Sequence, residues 1–276
     1  MPRLAHELPA LHQWAQEILD ETQSHFLACV GSRPAWLKAP GDFATKADLD
    51  IEAFLRRRLT EATGIPVLGE ETGGTLGTDP VWVVDPIDGT ANFAAGNPLC
   101  AILVSLLIDA QPVLGLTAVP VLHRRLSAIA GGPLLVDGTP MPPLRDSSNL
   151  TAQVGFSSVA SPDDSSFPSM VRQGLLARLA ETYLRPRITG SVGVDLAFVA
   201  QGIFGGAVSL SPHVWDNAAG VALIRAAGGV VTGVDGEEWT ADSEGVVAGT
   251  RSAHAAIMDA IRQTTTEVKT SGKDRR

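Results

Sequence analysis

The feature that most constrains this chain is a short apolar run that ends abruptly in acidic residues. The letters VWVV predict one buried β-strand, and the segment DPIDGT at 85–90 follows it at once. Pro86 holds Asp85 in an extended conformation, because the proline ring clashes with a preceding residue in the α region. We therefore expect a turn that brings Asp85 and Asp88 close together, with the Ile87 carbonyl oxygen between them.

This acidic turn suggests a cation site. Two carboxylates and a carbonyl oxygen repel one another unless a cation lies among them, and hard oxygen donors without a nearby cysteine select Mg²⁺ or Mn²⁺ over Zn²⁺. The backbone N–H groups of Gly89 to Asn92 follow at a turn or helix start, where a phosphate group can bind. An Asx turn, in which Asp85 and Asp88 cap backbone N–H groups, is the alternative interpretation.

Two more acidic positions follow or precede predicted elements. Glu70 and Glu71 come directly after a short predicted strand, and Asp216 precedes an Ala/Gly-rich helical segment. Taken alone, the glutamate pair is more typical of an exposed acidic loop, and Asp216 of a helix N-cap. His213 is left out of the predicted ligands, because loop histidines are common and all the other donors are oxygen atoms.

The composition excludes several classes of protein. Of 276 residues, 45% are apolar and 18% charged, which allows one large domain or two modest lobes with a substantial core. Acidic residues outnumber basic ones by 30 to 21, which argues against a nucleic-acid-binding surface. No apolar run reaches the ~18 residues of a membrane span, and we expect no secretory signal. Cys29 and Cys100 match no zinc or disulfide spacing, so we expect small buried thiols in a reducing cytoplasm.

Apolar periodicity predicts the order of helices and strands. In the first part of the chain, the pattern predicts a helix at 4–30, a loop at 31–41, a helix from Asp48, and strands at 66–69, 81–84, 101–108 and 113–119. A Gly/Pro/Ser-rich stretch at 131–148 predicts a soft boundary between two lobes. Beyond it, the pattern predicts strands at 152–156, 206–210 and 229–232 and helices at 168–180, 195–201 and 217–227. After about Gln263 we expect a polar, frayed tail.

Four segments in order carry a resemblance to a known family. They are DFATKAD at 42–48, GEE at 69–71, WVVDPIDGTANF at 82–93 and WDNAAG at 215–220. Together they resemble the inositol monophosphatase superfamily, most closely its bacterial inositol-1-monophosphatases, and four ordered matches are far more specific than one short motif. The resemblance implies an α+β fold, a layered αβαβα sandwich. It implies a single domain at 1–262 with lobes at about 1–140 and about 149–262, followed by a polar tail at 263–276.

The resemblance also implies a metal centre with two or three Mg²⁺ ions, for which Mn²⁺ can substitute. The ligands expected for the first and tighter ion are Glu70, Asp85 and the Ile87 carbonyl oxygen. Those expected for the second ion are Asp85, Asp88 and Asp216. Glu70 is expected to help hold a weaker third ion.

The implied reaction is hydrolysis of a small phosphorylated polyol or sugar, with inositol 1-phosphate foremost. Asp48 and Thr90 are expected to orient and deprotonate the attacking water, with Glu71 nearby. Asp88, Gly89 and Thr90 are expected to bind the phosphate. A homodimer and inhibition by lithium are family traits that the resemblance also implies for this chain.

The substrate is where the sequence departs from the family pattern. Many family members have a glutamate that binds substrate hydroxyl groups at the position of Ser209. Ser157, Ser191 and Ser209 are the candidate substrate contacts, and each is equally typical of an ordinary polar loop residue. Histidinol phosphate, fructose 1,6-bisphosphate and a nucleotide 3′-phosphate are alternative substrates, although no strongly basic loop favours the last two. A catalytically silent binding homologue is the alternative of another class, and the complete set of acidic residues argues against it.

Overall fold

The computed structural model describes residues 2–39, 42–146, 152–156, 158–159, 161 and 165–273. Within these residues, the helices are α1 (Pro2–Cys29), α2 (Lys46–Thr63), α3 (Thr90–Ala95), α4 (Ser169–Glu181), α5 (Val192–Ala200), α6 (Val214–Ala226) and α7 (Arg251–Lys273). The strands are β1 (Trp36–Ala39), β2 (Asp42–Ala44), β3 (Val67–Gly69), β4 (Val81–Asp88), β5 (Ala101–Ile108), β6 (Gln111–Val119), β7 (Arg124–Ile129), β8 (Leu135–Val136), β9 (Thr139–Pro140), β10 (Gln153–Phe156), β11 (Arg185–Arg187), β12 (Gly206–Ser209), β13 (Val230–Thr232) and β14 (Val246–Gly249).

Two sheets organise the fold. The large sheet has seven strands in the order β3 to β9, and its neighbours are antiparallel except for the parallel pair β3–β4. The small sheet has the order β11-β10-β12-β14-β13, in which β10 runs parallel to both of its neighbours. Strands β1 and β2 form a separate antiparallel pair.

Helices cover both faces of each sheet. Helices α1 and α2 pack on one face of the large sheet, and α5 and α6 fill the space between the two sheets. Helices α4 and α7 cover the outer face of the small sheet. This order of layers confirms the predicted αβαβα sandwich and the α+β class. Side chains from both predicted lobes meet in the central core, and the lobe boundary itself stays a prediction.

Strand β4 shows why this sequence folds into layers. Successive side chains of a strand point to opposite faces of the sheet. Trp82 and Val84 pack against the core under α1 and α2, whereas Val81 and Val83 pack against the core around α5 and α6. Because both faces are covered, the strand has no polar side, and its sequence is a continuous apolar run.

The structure corrects several predicted boundaries. The loop predicted at 31–41 contains β1, which pairs with β2, and the strand predicted at 81–84 continues to Asp88. Strands β2, β7, β11 and β14 and helix α7 were not predicted. Helix α7 continues to Lys273, so the prediction of a frayed tail after Gln263 is wrong over that length. None of the helices in the described residues combines the length and apolar composition needed to cross a membrane.

Candidate active site

The parallel pair β3–β4 brings the first two acidic segments together. Gly69 at the end of β3 pairs with Val84, so Glu70 comes directly beside Asp85. The Glu70 N–H donates to the Val84 carbonyl oxygen at 3.3 Å. Glu70 raises the pKa of Asp85, although the two residues lie 15 positions apart in the sequence.

A bulge in β4 then places the second aspartate. The pairing of β4 with β5 shifts its register between Asp85 and Asp88, and Pro86, which has no N–H to donate, lies within the bulge. The Ile87 N–H donates to Asp85 Oδ1 at 3.0 Å, which fixes that carboxyl group. The acidic segment was expected to end the strand in a turn. Instead the strand continues through the bulge, and both aspartates are buried.

Asp88 joins β4 to the start of α5. Its carboxylate accepts hydrogen bonds from the Ser191 hydroxyl, from the Gly193 N–H at 2.8 Å and from the Val192 N–H at 3.2 Å. Ser191 is also the N-cap residue of α5, since its hydroxyl oxygen accepts from the Val194 N–H. A carboxylate is favoured at a helix N-terminus, because the free N–H groups carry partial positive charge.

Gly89 makes the sharp turn from β4 into α3. Its φ of 81° lies in the left-handed region that favours glycine. A Cβ atom there would lie 3.1 Å from the carbonyl oxygens of Leu99 and Gly190. The missing side chain therefore allows these loops to approach, a reason that the sequence did not suggest. The Thr90 hydroxyl donates to the Ile87 carbonyl oxygen at 3.1 Å.

The third acidic position lies in the first turn of α6. His213 is the N-cap residue of this helix, and Asp216 follows it three positions later, so the N-cap interpretation of Asp216 is wrong. The Ser211 hydroxyl donates to Asp216 Oδ2. The Asn217 amide donates to the carbonyl oxygens of Ser211 and His213, at 2.9 and 3.0 Å, and so holds the turn that carries Ser211.

The acidic side chains perturb one another strongly. Burial raises the pKa of Asp85 well above its ordinary value, and the charges of Glu70, Asp88 and Asp216 raise it further. Burial likewise raises the pKa of Asp88 to about 6, although its hydrogen bonds from Ser191, Gly193 and Val192 act in the opposite direction. Four carboxyl groups from three segments of the chain therefore lie within electrostatic reach of one another.

The chemistry of this cluster suits a hard divalent cation. The charges of Glu70, Asp88 and Asp216 act on the buried Asp85 carboxyl group, and a divalent cation among these groups would offset their mutual repulsion. All the donors are oxygen atoms, as Mg²⁺ prefers. Among the described residues, no three His, Cys, Asp or Glu side chains stand in a preformed metal-binding arrangement.

Comparison with known proteins identifies the family. The model of the inositol monophosphatase family matches residues 7–266. The chain belongs to this family. It is 47% identical over 259 residues to inositol-1-monophosphatase ImpA of Mycolicibacterium smegmatis, a match covering 94% of each chain. It is also 37% identical over 197 residues to histidinol-phosphatase of Mycobacterium tuberculosis, covering 70% of this chain and 74% of the relative.

Solved structures show the same fold. The extragenic suppressor protein suhB from Bartonella henselae superposes with a TM-score of 0.82 at 23% identity, covering 91% of this chain and 98% of that one. The family assignment confirms the resemblance inferred from the four sequence segments. Inositol monophosphatase family members are phosphoric monoester hydrolases, and the family is metal-dependent, typically on Mg²⁺.

The remaining predicted residues of this inositol monophosphatase homologue lie in different surroundings. Asp48 is buried in the first turn of α2, where its carboxylate accepts from the Thr45 N–H at 2.7 Å and hydroxyl at 2.6 Å. Glu71 is half-buried in the loop after β3, and its N–H donates to a buried glutamate, Glu52. Ser209 is buried at the end of β12. Ser157 lies outside the described residues.

Sequence reasoning missed three side chains that hold the site together. Ser211 donates to Asp216. Asn92 donates to the carbonyl oxygens of Leu99 at 2.6 Å and Thr189 at 2.8 Å, which joins α3 to the loop before α5. Glu52 accepts from the loop that carries Glu70. The signal available for Glu52 was an acidic residue on the apolar face of α2, directly after Ile51.

Proposed function

We propose that this chain is a Mg²⁺-dependent phosphatase that hydrolyses inositol 1-phosphate to inositol and phosphate. The observation that carries the proposal is the acidic cluster of buried Asp85 and Asp88 with half-buried Glu70 and Asp216, in which the pKa of Asp85 is raised well above its ordinary value. Perturbed acidic groups with specific charged partners mark functional sites. The 47% identity to an inositol-1-monophosphatase over 94% of both chains supports the same activity.

The acidic residues would hold two or three Mg²⁺ ions. Glu70, Asp85 and the Ile87 carbonyl oxygen would bind the first ion, and Asp85, Asp88 and Asp216 the second. Glu70 would contribute to a weaker third site, and Mn²⁺ would substitute for Mg²⁺. When bound, the ions supply positive charge that neutralises the phosphate and lowers the pKa of a water molecule.

Residues at the start of α3 would bind the phosphate and direct the water. The N–H groups of Gly89 and Thr90, together with Asp88, lie where β4 passes into α3, and free N–H groups at such a turn bind anions. Thr90 would orient the attacking water, and Asp48 would take its proton. Glu71 would support this pair. The hydrogen bond between Thr90 and Asp48 that this assignment requires is part of the proposal.

Serine residues would then decide which alcohol leaves. Ser191 reaches the site directly, because its hydroxyl donates to Asp88. Ser209 is neutral where many family members have glutamate, and its hydroxyl oxygen accepts from the Ser211 N–H at 3.3 Å. Ser157 is the third proposed contact. The missing glutamate weakens the case for a polyol, and the 37% identity to a histidinol-phosphatase makes histidinol phosphate the second candidate substrate.

A phosphate-release assay over a Mg²⁺ titration tests the proposal. The substrates are inositol 1-phosphate, histidinol phosphate, fructose 1,6-bisphosphate and a nucleotide 3′-phosphate. The variant is Asp85→Asn, which keeps the acceptor for the Ile87 N–H and removes one charge. The matched control is Asp79→Asn, an exposed aspartate in the loop before β4.

We expect Mg²⁺-dependent release from inositol 1-phosphate by the wild type and by Asp79→Asn, and almost none by Asp85→Asn. Faster release from histidinol phosphate would replace the proposed substrate and leave the mechanism in place. Release by Asp85→Asn at the wild-type rate would overturn the metal assignment. Release from none of the four substrates would favour the catalytically silent binding homologue.

Three further properties belong to the same proposal. A homodimer follows from the family resemblance, and sedimentation of the purified chain tests it. Lithium should inhibit by competing with the second Mg²⁺ ion, so inhibition should weaken as Mg²⁺ is raised. A cytoplasmic setting fits Cys29 and Cys100, which are both free thiols, and mass spectrometry of chain purified from its cells tests for disulfides.

A further inference from the structure

Glu52 is a buried acidic residue that the proposed mechanism does not use. It lies in α2, and its side chain is fully buried. Its carboxylate accepts hydrogen bonds from the Glu71 N–H at 2.6 Å, from the Thr72 N–H at 3.0 Å and from the Thr72 hydroxyl. Hydrogen bonds to a charged acceptor are roughly twice as strong as neutral ones. The loop that carries Glu70 is therefore folded around the Glu52 carboxylate.

Arg56, one turn further along α2, closes the same loop from the other side. Its Nη2 donates to Glu52 Oε1 at 3.2 Å and to the Gly73 carbonyl oxygen at 2.7 Å, and its Nη1 donates to the Val67 carbonyl oxygen. One guanidinium group thus joins the strand before the loop to the residue after it. A reciprocal pair of backbone hydrogen bonds between Gly69 and Gly73, each 3.1 Å long, ties the loop ends together.

The residue before Glu70 has to be glycine for this arrangement to exist. A Cβ atom at Gly69 would lie 2.3 to 2.5 Å from the carboxyl atoms of Glu52. Such a contact is far inside van der Waals distance, and Glu52 is held by several donors and cannot move aside. The backbone at the end of β3 therefore approaches the Glu52 carboxylate as closely as packing allows. Glu70 leaves this fixed point and reaches Asp85.

We propose that Glu52, braced by Arg56, is a positioning residue that fixes the backbone at 69–73 so that Glu70 and Glu71 face the metal site. This inference rests on the proposed metal-binding role of Glu70. Glu52 itself stays outside the site, since its oxygens are occupied by backbone and guanidinium donors. Removing its charge should allow the loop to move and weaken metal binding, as loss of a group that orients a metal ligand typically costs ~10–100-fold in affinity.

Calorimetric titration with Mn²⁺ in the absence of substrate tests this role. The variant is Glu52→Gln, which keeps the shape of the side chain. It replaces one carboxylate oxygen, which accepts hydrogen bonds, with an NH₂ group, which can only donate them. Glu61→Gln is the matched control, because Glu61 lies exposed on the same helix. Thr72→Val is a gentler second variant, because it removes one donor and leaves the buried residues intact.

We expect Mn²⁺ affinity to fall by ~10–100-fold in Glu52→Gln, by less in Thr72→Val, and to be unchanged in Glu61→Gln. Amide exchange of the 70–72 segment should accelerate in parallel, while circular dichroism shows an unchanged fold. Unchanged Mn²⁺ affinity in a folded Glu52→Gln protein would overturn the positioning role. If Glu52→Gln fails to fold, unchanged affinity in Thr72→Val would overturn it. Failure of the wild type to bind Mn²⁺ would instead overturn the proposed function.

Discussion

Asp195 offers a test of the electrostatics inside the site region that requires no substrate. This aspartate is buried in the first turn of α5, against Gly155 of β10. The Thr189 hydroxyl donates to its Oδ1 at 2.7 Å, and its Oδ2 has no hydrogen-bond partner among the described residues. Burial, assisted by the charge of Asp88 and opposed by the hydrogen bond from Thr189, raises the pKa of Asp195 from its ordinary 3.8 to about 8.

The sign of the effect on stability follows from proton binding. Between these two pKa values, the folded state holds a proton that the unfolded chain releases. The stabilising contribution is therefore complete below the ordinary pKa and is lost as the pH rises through the folded-state pKa. Each pKa unit corresponds to about 1.4 kcal/mol, so the free energy of unfolding should fall by roughly 3 kcal/mol from about pH 5 to about pH 7 through this group alone.

The substitution Asp195→Asn removes the titration and keeps the oxygen that accepts from Thr189. Urea unfolding of both proteins at several pH values, in the presence of EDTA, measures the difference. We expect the wild type to lose ~3 kcal/mol relative to the variant over those two pH units, with Asp79→Asn behaving like the wild type. Parallel stability profiles for wild type and Asp195→Asn would refute the argument, because they would mean that Asp195 is already ionised in the fold.

Three further outcomes test the site. Thr90→Ala should lower kcat more than it raises KM in steady-state assays, because the hydroxyl is assigned to the attacking water; a change confined to KM would contradict that role. Ser211→Ala removes the donor to Asp216 and should raise the Mg²⁺ concentration for half-maximal activity about tenfold. An unchanged half-maximal Mg²⁺ concentration would contradict a role for Ser211 in positioning Asp216. Asp85→Asn should melt at a higher temperature than the wild type in EDTA, because it removes a carboxyl group whose ionised form is destabilised by burial and by the neighbouring charges. A lower melting temperature would contradict that reasoning.

The sequence was sufficient to predict a strand or helix where the local pattern of residues determines that element. The apolar run before Asp85 predicted β4, because a strand covered on both faces must be apolar throughout. The same segment predicted the wrong end for this strand, because Asp-Pro is typical of a turn. In the structure, the bulge lets the strand continue until Asp88 pairs with Ala101 of β5. Only the partner strand, which is not visible in the local pattern, decides between these outcomes.

Helix α7 was not predicted, and its later part shows a related reason. Residues 264–266 are threonines, which lack apolar periodicity and have modest helix propensity. Their hydroxyl groups donate to carbonyl oxygens four residues earlier, and Thr264 is buried beside Gly174 of α4. Packing between helices supplies the stability that propensity does not. The hairpin β1–β2 likewise depends on pairing between its two strands, which the local Gly/Pro-rich composition does not indicate.

The candidate site shows the same difference between local patterns and long-range contacts. Its acidic residues were predictable, because each stands at the end of an element whose local pattern is clear. The groups that position them were not, because their contacts join distant parts of the chain. Ser191 reaches Asp88 across 103 positions, and Glu52 reaches Glu71 across 19. No spacing rule connects such residues until the sheets and helices are assembled.

The acidic cluster also shows why function and stability oppose one another in this fold. Burial and the charges of Glu70, Asp88 and Asp216 all raise the pKa of Asp85, so without a cation the fold disfavours full ionisation of the cluster. Under the proposed function a cation would bind the ionised carboxyl groups, so we expect metal affinity to increase with pH. Binding then adds stability of about 2.7 kcal/mol at a hundredfold excess over Kd. Glu52 accepts from the backbone that follows Glu70, and Ser211 donates to Asp216, so under the proposed function these contacts would keep the carboxyl groups close enough to bind a cation.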